Sequence, residues 1–94
     1  MDVTKPIVLV VAGHLTPADV PRLHEELNAA LPATAADVIC DVAGLVRPTL
    51  AAVEVLARLR LTARRRGCRL RLRGAGRELR TLLDLVGLSD LARD

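Results

Sequence analysis

A chain of 94 residues is long enough for one small domain with one modest core, so we expect residues 1–94 to form a single domain. With 51% hydrophobic and 27% charged residues it can fold and stay soluble, and no apolar run approaches the ~18 residues of a membrane span. Residues 1–6 lack the pattern of a secretory signal, which predicts a cytoplasmic location without membrane insertion.

The net charge of +3 conceals an asymmetry between the two parts of the chain. Residues 1–57 carry three Lys or Arg and seven Asp or Glu, a net −4, whereas residues 58–94 carry eleven and four, a net +7. Ten arginines lie between Arg58 and Arg80. Such a cluster attracts phosphates or acidic protein surfaces, although a solvated surface explains it as simply. Because the chain has no aromatic residue for base stacking, we predict no specific nucleic-acid partner.

The two cysteines and two histidines do not suggest a metal site. Cys40 and Cys68 both lie in strand-like runs and are expected to be reduced core residues. His14 and His24 share no ligand spacing with each other or with the cysteines. We therefore predict neither metal nor cofactor.

The first predicted strand is the continuous apolar run IVLVV at residues 7–11. Such a run is typical of a central strand covered on both faces. A helix follows, with Asp19 as its N-cap and Pro21 in its first turn, and it ends at Pro32. Its apolar residues recur at helical spacing and predict an inward face of Val20, Leu23, Leu27, Ala30 and Leu31.

The second predicted strand lies in ADVICDVAG, residues 36–44. Its inward side chains are predicted to be Val38, Cys40 and Val42. A second helix is predicted over about residues 50–66, because Thr49 is a good N-cap and arginines in the last turn precede Gly67.

The third predicted strand, CRLRLR at residues 68–73, alternates strictly, which directs its apolar side chains to the core and its arginines to water. A third helix follows within residues 76–87, where Gly87 ends it, and the remaining residues have room for one more turn. Its inward residues are predicted to be Leu79, Leu82, Leu83 and Val86.

The order β-α-β-α-β-α predicts an α/β fold with a small, mainly parallel sheet and right-handed crossovers. Residues 7–11 and 38–41 are expected to be inner strands, and residues 68–73 are expected to be more exposed. No Ser/His/Asp or Cys/His arrangement is visible, and Gly74-Ala75-Gly76 lacks the third glycine of a dinucleotide fingerprint. We therefore predict a binding module and not an enzyme.

Three segments in this order resemble the STAS domain family of bacterial anti-sigma factor antagonists: GHLTPADVPRLHEEL, VICDVAGL and CRLRLRGAGRELRTLLDLVGLSDL. The resemblance covers roughly residues 6 to 92. It implies a STAS-like fold and a non-catalytic, cytoplasmic module for protein–protein interaction in transcription regulation. The matching positions are Gly13-His14-Leu15, Pro21, Leu23, Asp41-Val42-Ala43-Gly44-Leu45 and Leu83-Asp84-Leu85-Val86-Gly87-Leu88.

The resemblance also implies a phosphorylated serine at the start of the second helix. When the family's Asp-Ser-Ser-Gly is counted without a gap from Gly44, the phosphoacceptor position falls on Ala51, which has no hydroxyl. The only serine in the chain is Ser89, far from this position. The ordinary phosphorylation switch is therefore predicted to be absent. Thr49 is interpreted as a helix cap, with the alternative that a shortened loop has moved the acceptor to Thr49.

Helical geometry predicts a second surface on the second helix. At about 100° per residue, the core face contains Ala52, Val55, Leu56, Leu59 and Ala63. A separate apolar line is bordered by charges, which is typical of a small protein interface, although scattered surface residues are a common alternative. With the loop residues before the helix, the predicted partner-binding residues are Arg47, Thr49, Leu50, Glu54, Ala57, Arg58, Leu61 and Arg65.

The resemblance implies two classes of partner. The first is an anti-sigma factor or a related signalling protein. The alternative is the ATPase of a lipid-transport ABC complex, because the chain also resembles MlaB-type STAS subunits, some of which carry Thr near the helix start. The sequence leaves the oligomeric state open, a homodimer included.

Overall fold

The computed structural model of the protein describes residues 7–92. Three strands form one parallel sheet in the order β1-β2-β3, and three helices alternate with them along the chain. These elements are β1 (Ile7–Val10), α1 (Val20–Ala30), β2 (Asp37–Asp41), α2 (Leu50–Arg65), β3 (Arg69–Arg73) and α3 (Arg77–Leu85). A 3₁₀ turn at Pro17–Asp19 precedes α1, and a C-terminal 3₁₀ turn at Ser89–Ala92 follows α3. The predicted α/β class, parallel sheet and element order are confirmed.

The core lies on one face of the sheet. Side chains alternate along each strand, and the inward ones are buried: Leu9, Val38, Cys40, Leu70 and Leu72. The helices add leucines to this core, among them Leu27, Leu56, Leu59 and Leu83, none of which is accessible. The inward pattern predicted for β2 and β3 is therefore confirmed.

The prediction that residues 7–11 form a central strand covered on both faces is wrong for the described part of the chain. Among the described strands β1 pairs only with β2, so it lies at an edge, and Val8 and Val10 are 45% and 65% exposed. Val8 stands beside Ile39 of β2 on the outer face, where cross-strand apolar pairs favour pairing even when water reaches them. An apolar run therefore does not distinguish a covered face from an exposed one.

The starts and ends of α1 and α3 agree with the predictions, but two side chains there behave differently. The Asp19 carboxylate accepts a hydrogen bond from the backbone N–H of Thr16 at 2.9 Å, so it closes the 3₁₀ turn and makes no capping bond to α1. The second difference is at the end of α3. This helix stops at Leu85, and Val86 just after it is 47% exposed, whereas it was predicted to face inward. Gly87 has φ 76°, and the Leu88 N–H bonds the Leu83 carbonyl at 2.8 Å. This glycine-terminated turn directs Val86 away from the core.

Both cysteines are buried and unpaired, as predicted. Burial raises the pKa of the Cys40 thiol to about 12, and the negative charge of neighbouring Asp41 acts in the same direction. Cys40 is therefore an inert member of the core at neutral pH.

Candidate functional site

The loop between β2 and α2 carries two of the predicted partner-binding residues, Arg47 and Thr49, and backbone hydrogen bonds hold it in place. Gly13 and Leu45 form an isolated parallel bridge just beyond the ends of β1 and β2. The Gly13 N–H bonds the Gly44 carbonyl at 3.0 Å, and the Val46 N–H bonds the Gly13 carbonyl at 3.0 Å. The loop is thus tied to the end of β1, which orients the start of α2.

Asp41, to which the sequence analysis gave no role, organises the start of this loop. Its carboxylate accepts the backbone N–H of Ala43 and the guanidinium of Arg73, each at 3.0 Å. The Ala43 hydrogen bond and then the Arg73 interaction hold the pKa of Asp41 below its usual value. An aspartate that ends a strand two residues before a turn is the sequence signal for this arrangement.

The last loop residues adopt the geometry that starts α2. Arg47 has φ 49°, a left-handed conformation that costs a non-glycine residue about 1 kcal/mol, and its side chain is exposed. Thr49 is extended, and its Oγ1 accepts the N–H of Ala52 at 3.2 Å. The predicted N-cap is therefore confirmed. Ala51 is half-buried in the first turn of α2 and presents only a methyl group.

The predicted interface residues of α2 lie on the solvent side. Leu50 and Leu61 are 58% and 49% exposed, and Ala57 between them is half-buried. Glu54, Arg58 and Arg65 are all exposed beside this line, and the carboxylate of Glu54 binds the Arg58 guanidinium at 2.9 Å. We call these six α2 residues the α2 stripe.

The opposite side of α2 is buried as predicted, with one addition. Ala52, Val55, Leu56, Leu59 and Ala63 belong to the core, and so does Val53. A helical repeat with one buried face does not predict the burial of Val53. The helix contacts α1, β3 and α3, and these neighbours bury a wider arc than a single face.

A cavity of about 390 Å³ lies next to this loop, at the carboxyl ends of β2 and β3. Its lining includes Arg47 and Pro48 from the loop and Arg77 from the start of α3. A groove of about 350 Å³ continues from Pro48 along α3 to Leu82. Arg77 is not among the residues predicted for the site, although parallel strands place the loops that follow them at one sheet edge.

The two loops meet at Gly74, which adopts φ +79°. A Cβ atom on this residue would stand 2.7 Å from the Cβ of Ala43. The glycine is thus needed both for its backbone conformation and for the close approach of the loop after β3 to the loop after β2.

The side chains of the candidate site are suited to binding. In the part of the chain that the structure describes, no three His, Cys, Asp or Glu side chains are grouped to hold a metal ion. None of the helices described is both long and apolar enough to cross a membrane. The site presents exposed leucines, arginines and a hydroxyl engaged in capping, a composition found at protein interfaces.

Comparison with known proteins gives one family. A family model described as "Mlab, STAS domain" matches residues 3–93, whereas no curated protein matches the chain. STAS domains are generally non-enzymatic and generally mediate protein–protein interactions. Because the match spans nearly the whole chain and the parallel sheet with three helices agrees with the STAS fold, this protein belongs to the STAS domain family.

Proposed function

We propose that this protein is a non-catalytic docking module that binds its partner through the α2 stripe and the loop residues Arg47 and Thr49. One observation carries the proposal: Leu50 and Leu61 are both about half exposed on one line of α2. Eleven residues of helix separate them by roughly 16 Å, a length that suits a small interface. The charged side chains on one side of this line supply a polar rim of the kind that surrounds an interface core.

The binding is proposed to be independent of serine phosphorylation. Ala51 occupies the position equivalent to the family's phosphoacceptor and has no hydroxyl. The Thr49 oxygen accepts the Ala52 N–H, so capping already accounts for a hydroxyl at this position without any modification. Both features support docking that is permanently available.

The favoured partner is the ATPase of a lipid-transport ABC complex. The match to a family described by the MlaB type supports this choice, and a permanent subunit has no need of a phosphorylation switch. The second candidate is an anti-sigma factor, which the motif resemblance at Gly13-His14-Leu15 and Leu83-Asp84-Leu85-Val86-Gly87-Leu88 supports. Either partner implies a cytoplasmic location.

Capture of the partner from the native cell tests this proposal. The full chain with an affinity tag should retain its partner, whereas Leu50→Glu and Leu61→Glu should each reduce the recovered partner by about tenfold or more, because a charge is placed in the interface core. Leu85→Glu is the matched control, since Leu85 is 74% exposed on α3, outside the α2 stripe.

The recovered proteins also distinguish the two partner classes. An ATPase recovered with a permease supports the transporter, and a histidine-kinase-like ATPase supports the anti-sigma factor. Undiminished capture by Leu61→Glu would exclude the α2 stripe as the interface. Unfolding of Leu61→Glu in a thermal melt would show that Leu61 belongs to the core, which would also contradict the proposal.

A further inference from the structure

A second cleft, of about 510 Å³, lies beside β3 and shares no residue with the cavity at the carboxyl ends of the strands. Three elements line it: α2 with Arg60 and Arg64, residues 68–71, and the C-terminal 3₁₀ turn with Asp90. Four of the lining residues are arginines and one is an aspartate, so the lining carries a net charge of +3. We call this the β3 cleft.

The four guanidinium groups come from two elements that contact each other. Arg60 and Arg64 are one helical turn apart, about 6 Å along the axis of α2. Arg69 and Arg71 lie two residues apart on one face of β3, about 7 Å. Both pairs line the same cleft. Forked guanidinium donors from several sides of one cleft suit an anion with several acceptor oxygens.

Only one of these arginines has an acidic partner among residues 7–92. Arg60 binds the Asp90 carboxylate, and this contact, helped by the charge of Arg64, keeps the pKa of Asp90 low. No salt bridge of Arg64, Arg69 or Arg71 is formed within the described residues.

Arg71 adds a second, independent observation. Its Nε atom is buried and has no hydrogen-bond partner among the described residues. A buried donor without an acceptor loses its hydration and gains nothing in return, so such groups are rare in folded proteins. Because Arg71 lines the cleft, a rotation of its side chain would offer this donor to an oxyanion bound there.

We infer that the β3 cleft binds a phosphate group, held by Arg64, Arg69 and Arg71, while the Arg60–Asp90 pair forms one wall. A phosphate carries up to two negative charges and more acceptor oxygens than a carboxylate, which matches the three guanidinium groups that have no acidic partner among residues 7–92. The same group occurs in soluble phosphate and in phospholipid headgroups. This inference does not depend on the proposed function, because the α2 stripe lies outside the cleft.

A nuclear magnetic resonance titration of the ¹⁵N-labelled full chain with inorganic phosphate tests the site. Amide shifts of residues 69–71 and Asp90 should saturate, and Arg71→Gln and Arg64→Gln should each weaken the affinity by about tenfold. The control Arg80→Gln makes the same change in net charge on the exposed side of α3 and should stay within about twofold of the unmodified chain, since long-range charge contributes little at physiological salt.

Two results would overturn the inference: shifts that do not saturate, and an equal loss in Arg80→Gln, which would indicate attraction by net charge alone. Arg64 is exposed on α2, so Arg64→Gln still decides the matter if Arg71→Gln fails to fold.

Co-sedimentation then identifies the source of the phosphate. Binding to phosphatidylglycerol vesicles but not to phosphatidylcholine vesicles, lost in Arg71→Gln, supports an anionic headgroup. Saturable phosphate binding without vesicle binding supports a soluble phosphate. Binding of an acidic peptide or RNA at this cleft without saturable phosphate binding would contradict the inference.

Discussion

Thr49 and Ala51, two residues apart at the start of α2, are the residues on which the proposed absence of a phosphorylation switch rests. The hydroxyl oxygen of Thr49 accepts the Ala52 N–H, one of the helix-start donors that have no intrahelical partner. Ala51, which is predicted to be equivalent to the family's phosphoacceptor, presents a methyl group. The N-cap could be predicted from the sequence because it depends on residues three apart. Whether a partner kinase reaches Thr49 depends on a second protein.

Replacement of Thr49 tests its role as a cap. Thr49→Ala should lower the free energy of unfolding by about 1 kcal/mol, and Thr49→Asp should be nearly neutral because aspartate caps equally well. Chemical denaturation of the two variants measures both values. Equal stability of Thr49→Ala and the unmodified chain would show that the cap contributes nothing.

Incubation with the captured partner and ATP should add no phosphate to the intact mass. A phosphate on Thr49 would mean that the switch had been moved rather than lost.

The loops after β2 and β3 pack against each other through the smallest side chains available. Gly74 lies against Ala43, and the positive φ of Gly74 is unfavourable for any residue with a Cβ. The sequence indicates a turn at Gly74-Ala75-Gly76. It does not indicate that Ala43, about thirty positions earlier, lies where a side chain on Gly74 would have to be. Contact between two loops arises only after both strands have joined the sheet.

Two glycine variants separate backbone strain from steric overlap. Gly87→Ala should cost about 1 kcal/mol, because Gly87 has φ +76° but no atom within 4 Å of an added Cβ. Gly74→Ala should lower the free energy of unfolding further, by about 1–3 kcal/mol beyond the loss in Gly87→Ala, because the added Cβ also overlaps Ala43. Urea denaturation of both variants measures the difference. Equal losses would mean that the Ala43 loop moves aside freely.

Charges and one buried thiol set the pH range in which the whole molecule is stable. The pKa values of Asp19, Asp41 and Asp90 lie below the ordinary 3.8, chiefly because of hydrogen bonds from the Thr16 N–H, the Ala43 N–H and the Arg60 guanidinium, respectively. A lowered folded-state pKa stabilises the fold above the unfolded pKa and loses this effect as the pH falls. Burial raises the pKa of Cys40 from 9.0 to about 12. The protonated thiol therefore favours the folded state fully below pH 9.0, and this stabilisation declines as the pH rises above 9.0.

The free energy of unfolding should therefore be nearly constant from about pH 5 to pH 8 and fall on both sides. The acid decline should begin below about pH 4, and the alkaline decline above about pH 9. Urea denaturation at a series of pH values measures this profile. Cys40→Ala should lack the thiol's part of the alkaline decline, and a profile without any acid decline would contradict the assigned ion pairs and hydrogen bonds.

The features that follow from neighbouring residues could be derived from the chain alone. The alternation of β3, the capping of α2 by Thr49 and the end of α3 at Gly87 each rest on residues within a few positions of one another, where backbone geometry is local. The stripe of Leu50 and Leu61 follows from the helical repeat for the same reason. Packing between distant segments decides the position of β1 at the edge of the described sheet, the burial of Val53 and the pairing of Arg60 with Asp90. Sheet order and loop contacts depend on which apolar surfaces of distant segments pack against one another. A pattern of neighbouring residues does not specify that packing.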